Sequence, residues 1–214
     1  FTAWIWSAGG EMVIPNEDGT YKLGFNEDPG VDTAMYWNEM IWKHQMTQKD
    51  VLQDWNKLQD DIKSGRACFS WADVSWLNQE ELGKYGLQMS DFGFIPMPVK
   101  DSSIANPTFS GGEVVTFNPK ASKDEIKAAW DFYTYYYLDE EVLTEQWQLA
   151  DQYKVADTQM PARADLYEKK LSMLSAVPEA MRKDLLSGAK TAKAEPYCNH
   201  WGDLKNALAK PLQK

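Results

Sequence analysis

Apolar positions recur along this chain with changing period, and each change of period marks an element. Residues 1–8 are apolar and aromatic and run into Gly9-Gly10, which predicts a helix end closed by glycine. Residues 11–14 and 20–23 flank Pro15-Asn16-Glu17-Asp18-Gly19, a strand–turn–strand pattern with an Asp-Gly hairpin signal. A turn at 26–30 then opens a helix over 31–44, with Ala34, Met35, Trp37, Met40 and Ile41 at helical spacing. The next helix, 49–64, carries Val51, Leu52, Trp55, Leu58 and Ile62. Short apolar runs predict strands near 67–71, 92–97 and 110–117, with a short amphipathic helix over 77–85. Ser122 followed by Glu125 forms a capping box. It opens a helix to Leu138 with Ile126, Ala129, Trp130, Tyr133 and Tyr137 on one face. Further helices are expected over 140–152, 164–173, 178–187 and from Trp201 to about Ala209. The expected fold class is α/β, a mixed sheet with helices on its faces.

The candidate chemistry gathers around one stretch, residues 65–76. Gly65 ends a helix, 67–71 reads as a buried strand, and Trp71, Asp73 and Trp76 follow where that strand runs out. Indole packs well on the C–H face of a sugar, and a carboxylate accepts from its hydroxyls. The alternative is that both tryptophans are core, as tryptophan is highly buried on average. Gly111-Gly112-Glu113 leads the strand at 110–117; glycines there mark either a bulge or the close approach of a ligand. A second aromatic loop ends in His200 and Trp201, where His200 either donates to a ligand hydroxyl or makes a structural hydrogen bond. Trp4 stands in the apolar opening segment and is open to both readings. Helical spacing assigns Trp37, Trp42, Trp55 and Trp130 to packing.

Composition narrows the function. The chain has 214 residues and a formal net charge of −10, which argues against nucleic acid or an anionic membrane surface as partner. Ten Trp, ten Tyr and eight Phe exceed what a core of this size demands, so part of that aromatic surface is available for ligand contact. Two cysteines, Cys68 and Cys198, form neither a disulfide framework nor a zinc spacing; Cys68 is expected to be buried in its strand, with a bridge to Cys198 as the alternative. No run of apolar residues is long enough to span a bilayer. The chain opens on Phe1 without Met, and no signal segment is expected within it; it reads as the middle of a longer protein.

Catalytic sets are not indicated. A glycosidase needs two carboxylates across a sugar, and nothing in the sequence places Asp73 and Glu113 together. No nucleophile–base set, metal-ligand cluster, phosphate loop or dinucleotide fingerprint is present, so neither cofactor nor metal is expected. Arg66 and Arg163 read as surface ion pairs.

The order of these motifs resembles the extracytoplasmic solute-binding proteins of ABC importers, in the sugar-binding, maltose-binding-protein-like group. The helix ending Gly9-Gly10, Phe25-Asn26 through Pro29-Gly30-Val31, and Lys63-Ser64-Gly65-Arg66-Ala67 carry the resemblance. So do Phe94-Ile95-Pro96-Met97-Pro98, Ser110-Gly111-Gly112-Glu113 and the helix from Ser122. Trp76 falls at the family's stacking tryptophan and Trp201 at a second ligand-facing aromatic. The segment Trp71-Ala72-Asp73-Val74-Ser75 departs from the family pattern, in which a small residue and glycine precede the tryptophan. The family's opening βαβ units are not found ahead of Phe1. The resemblance therefore implies a periplasmic-binding-protein-like type II lobe: residues 1–117 as second lobe, 118–160 as hinge crossing and helices that pack on the first lobe, and 161–214 as helices returning to the second.

It further implies a non-enzymatic binding protein that captures a sugar or oligosaccharide and presents it to a membrane permease. The protein would be extracytoplasmic, in a periplasm or as a cell-surface lipoprotein. The implied ligand contacts are Trp76, Trp71, Asp73, Trp201, Gly111, Gly112, Glu113, His200 and Trp4. Little or no sugar binding is expected of one lobe alone. The uncovered face of the helix from Ser122 predicts self-association, or disorder over 119–158. A glycan-active enzyme fragment and a carbohydrate or protein interaction domain are the alternatives.

Overall fold

The computed structural model describes residues 1–49, 53–71, 82–196 and 198–212. It is a mixed α/β structure, about 51% helical, with two small sheets. The chain divides into two compact units, the first made of Phe1–Gln59, Pro96–Gly111 and Thr191–Lys214, the second of Asp60–Ile95 and Gly112–Lys190.

The first unit opens with α1 (Thr2–Ser7), whose Ile5 and Trp6 are buried. Gly9 follows at φ +85°, a left-handed value that glycine adopts without a Cβ penalty. The hairpin expected from the sequence forms as β1 (Val13–Pro15) and β2 (Tyr21–Leu23), antiparallel, with Val13 opposite Leu23. Gly24 closes it: its N–H donates to the Met12 carbonyl, and a Cβ there would lie 2.0 Å from the Glu11 carbonyl oxygen. Helix α2 (Asp28–Asn38) continues into a π-helical turn over Glu39–Lys43. The Thr33 hydroxyl in α2 donates to the Pro29 and Trp4 carbonyls, tying α2 to α1. The second sheet pairs β3 (Thr108–Ser110) in parallel with β4 (Ala192–Ala194). Trp6 organises this end of the unit. Its ring stacks on Phe109 at 6.2 Å, Lys193 lies 4.8 Å over it, and its Nε1–H donates to Glu11, which also pairs with Lys193. Helix α3 (Trp55–Lys63) ends at Gly65 and runs from the first unit into the second, which begins at Asp60, and α8 (Trp201–Leu212) is the last described element.

The second unit carries α4 (Lys123–Leu138), α5 (Glu140–Gln152), α6 (Tyr167–Met173) and α7 (Glu179–Lys190). Its main core gathers Leu82, Met89, Ala156, Leu174, Val177 and Met181. A smaller cluster holds Leu143, Trp147 and Leu166. The predicted capping box is present: the Glu125 N–H donates to Ser122 Oγ, and the Ser122 N–H donates to the Glu125 carboxylate. Asp139 caps α5 by accepting from the N–H groups of Glu141 and Val142. The loop ahead of α6 is pinned from the helix: Tyr167 OH donates to the Thr158 carbonyl, and Lys170 Nζ to the Gln159 carbonyl.

Several expectations are corrected. Residues 67–71, 92–97 and 111–117 form no strand; the strand at the third site is the three-residue β3, displaced toward the N-terminus. An apolar run becomes a strand only where a neighbour takes its backbone bonds. Here Phe69, Ile95 and Val114 are 77%, 68% and 85% exposed, and Pro96 and Pro98 lack ladder donors. Cys68 is correspondingly exposed rather than buried, and both cysteines are free. The helix expected over 49–64 is regular only from Trp55, with residues 50–52 outside the described ones. Trp42 and Trp55, assigned to packing, are exposed. Helix α4 has no buried residue at all, so aromatic surface lies on more than one side of it. The helices expected from Ser122 to Leu138 and over 140–152 are present.

Candidate functional site

Two of the contacts expected to matter most, Asp73 and Trp76, lie outside the described residues, as do residues 77–81 of the helix expected over 77–85. Trp71, the last described residue before them, is 47% exposed. Gly111, Gly112 and Glu113 are exposed in irregular chain after β3. A Cβ at Gly111 would meet the Phe109 ring at 3.3 Å, and one at Gly112 would meet nothing within 4 Å. Neither position therefore shows a backbone approach that only glycine permits.

The remaining contacts belong to the first unit. Trp4 is half-buried, edge-on to Trp37 at 5.9 Å and tilted against Tyr36 at 5.5 Å. Tyr36 is itself half exposed, so the pair presents an aromatic surface. Trp201 starts α8 half-buried, with Lys205 Nζ 5.7 Å from its ring centre. His200 precedes it at φ +61°, an uncommon conformation for a residue with a side chain. Its Nδ1 lies 3.2 Å from Asp203 Oδ2, and both side chains are largely in water.

His200 also borders a groove of about 360 Å³. Val13, Tyr21 and Leu23 of the hairpin form one wall; Cys198, Asn199, Asp203 and Leu204 complete it. The groove combines apolar and aromatic surface with an amide, an imidazole and a carboxylate at its rim, which suits a ligand that is apolar on its faces and polar at its edges. Of the ligand contacts named from the sequence, His200 alone lines it. Tyr21, Asn199 and Asp203 were not anticipated. Tyr21 alternates in a strand like any other hairpin residue, and no local pattern tells that 21 and 199 meet. A second groove, about 450 Å³, runs along α4 beside Trp130, Asp131, Thr134, Tyr135, Leu138 and Asp139.

Among the described residues no group of three His, Cys, Asp or Glu side chains is placed to hold a metal ion. None of the described helices is long and apolar enough to cross a membrane. Arg66 pairs with Asp61 and Arg163 with Asp165, and hydrogen bonds to Asp165 hold the Arg163 guanidinium above its ordinary pKa. No protein-family model, curated protein or solved structure matches the chain.

Proposed function

We propose that this chain is part of the substrate-binding component of an ABC importer. It belongs to a periplasmic-binding-protein-like lobe that captures a sugar or oligosaccharide outside the cytoplasm and presents it to a membrane permease. Capture rests on stacking by Trp71, Trp76 and Trp201, with Asp73, Glu113 and His200 bonding hydroxyls. Trp4, Gly111 and Gly112 border the ligand. The protein binds without cleaving. The observation that carries this reading is the accessibility of Trp71, 47% exposed beside the stretch where the family resemblance puts its stacking indole. Burying a half-exposed indole under a sugar ring offsets part of the cost of leaving it in water. The test is a comparison of Trp71→Ala and Trp76→Ala with Trp55→Ala in titrations of the two-lobed protein with oligosaccharides. Weaker binding by the first two supports the reading, and equal affinities in all three remove this stretch from the site.

A second reading, a protein-interaction domain that includes self-association, is favoured by one observation. Trp130, Phe132, Tyr135, Tyr136 and Tyr137 of α4 are all more than 40% exposed. Contiguous apolar surface on that scale marks contact sites in soluble proteins. Light scattering on the chain tests it: a mass above the monomer supports contact through α4, and a monomer at all concentrations opposes self-association.

A further inference from the structure

We propose that the groove between the β1–β2 hairpin and the turn before α8 is a saccharide subsite. It takes one or two pyranose rings against Tyr21, with Asn199, His200 and Asp203 bonding their hydroxyls. This rests on the sugar-binding reading above and extends it to three residues that reading does not contain.

The dimensions fit. A volume of about 360 Å³ stands at the small end of ligand pockets, which run from roughly 300 to 1,000 Å³. The lining fits as well. A pyranose ring is apolar over its faces and carries hydroxyls around its edge. Tyr21 is 45% exposed, so ring surface remains in the groove for the C–H face to cover, with Leu23 beside it at 42%.

The rim supplies both kinds of hydrogen-bonding partner. The Asn199 side chain donates through its amide nitrogen and accepts through its oxygen. His200 Nδ1 lies 3.2 Å from Asp203 Oδ2, and a proton on Nδ1 shared with that carboxylate leaves Nε2 as an acceptor for a ligand hydroxyl. Asp203 accepts through its other oxygen. A sugar hydroxyl, donor and acceptor at once, satisfies all three.

The same carboxylate decides between ligand classes. An anionic sugar, such as a uronic acid, meets Asp203 as a like charge in a chain whose formal net charge is already −10. The groove therefore takes neutral saccharides. An open groove of this size holds a ligand weakly.

The experiment is an amide-resonance titration of the 214-residue chain with maltose, with glucuronic acid as the charged counterpart. Tyr21→Ala and Asp203→Asn are titrated alongside, each first shown by circular dichroism to keep the wild-type helix content. The expected result is shifts at the hairpin and at 198–204 with maltose, none with glucuronic acid, and an affinity lowered about five- to tenfold in both variants. Shifts centred on Trp71 with the groove silent overturn the subsite and leave the sugar-binding reading standing. Absence of shifts anywhere overturns the subsite, while the reading is decided separately by the Trp71 and Trp76 comparison.

Discussion

Lys170 offers a sharp test of how the second unit is held together. The residue is 3% exposed, yet its ammonium has two partners: Nζ lies 2.6 Å from Asp157 Oδ2 and 2.8 Å from the Gln159 carbonyl. Lys170→Met keeps the length of the stem and nearly the helix propensity while removing the charge. Breaking a fully buried ion pair costs about 3–5 kcal/mol, because the abandoned partner is left charged and dry. That ceiling does not apply, since the Asp157 side chain is 40% exposed and water can take it over. The lasting loss is the charged donor to the Gln159 carbonyl, a bond of about 1.5–3 kcal/mol. The expected destabilisation is therefore about 2 kcal/mol, which moves a urea midpoint down by roughly 1 M at the usual slopes. Lys183→Met is the matched control. It breaks the Glu179–Lys183 pair, whose side chains are 77% and 74% exposed, and its midpoint should not move. Urea unfolding followed by circular dichroism at 222 nm, a helix band, reads both. A Lys170→Met midpoint within error of the control would mean that the loop at 157–159 is not held by this lysine.

Four other outcomes are expected. Tyr167→Phe removes the 2.7 Å bond to the buried Thr158 carbonyl and should cost about 1 kcal/mol by the same urea measurement; an unchanged midpoint would show that bond to be idle. Burial, then the Asp157 charge, pushes Tyr167 from 10.0 to about 12, so its contribution to stability is complete below pH 10 and is lost as pH rises toward 12; alkaline melting with Tyr167→Phe as reference checks the sign. Glu125 is held below its ordinary 4.5 by the backbone N–H and hydroxyl of Ser122, so the α4 cap is intact above that pH and weakens as pH falls through the lower folded value. Ser122→Ala should cost about 1 kcal/mol at neutral pH; helix content that is insensitive to acid and to this substitution would contradict the cap. Sugar-induced changes in tryptophan fluorescence should fall more in Trp76→Ala than in Trp55→Ala, and equal responses would take Trp76 out of the site.

The sequence is legible where its signals act within a few residues. Gly9 ends α1, Asp18-Gly19 turns the hairpin, and Ser122 with Glu125 caps α4, because each is decided within a few residues. The sheets were not legible in the same way. The apolar content of 67–71 and 92–97 does not say which backbone will pair with it. The strand that does form, β3, finds its partner more than eighty residues away in Ala192–Ala194, three exposed residues with no apolar signature. The candidate site shows the same division. His200 stood out as one of two histidines in an aromatic loop, whereas Tyr21, Asn199 and Asp203 gain meaning only once the hairpin and the turn before α8 share a groove. Trp130 and the tyrosines of α4 had helical spacing that implied a covered face. Spacing alone does not supply the cover, and the helix stands exposed.

The reading as a whole stands on saccharide recognition without cleavage. A saturation-transfer NMR measurement addresses it directly: maltotriose is mixed with the protein, aromatic protons of the protein are irradiated, and the sugar spectrum is followed over hours. The expected result is transfer to the ring C–H protons, the faces that pack on indole and phenol, with the anomeric signals unchanged throughout. New reducing-end signals would make the protein a glycan-cleaving enzyme, and complete absence of transfer would show that its exposed aromatic surface does not meet this sugar at all.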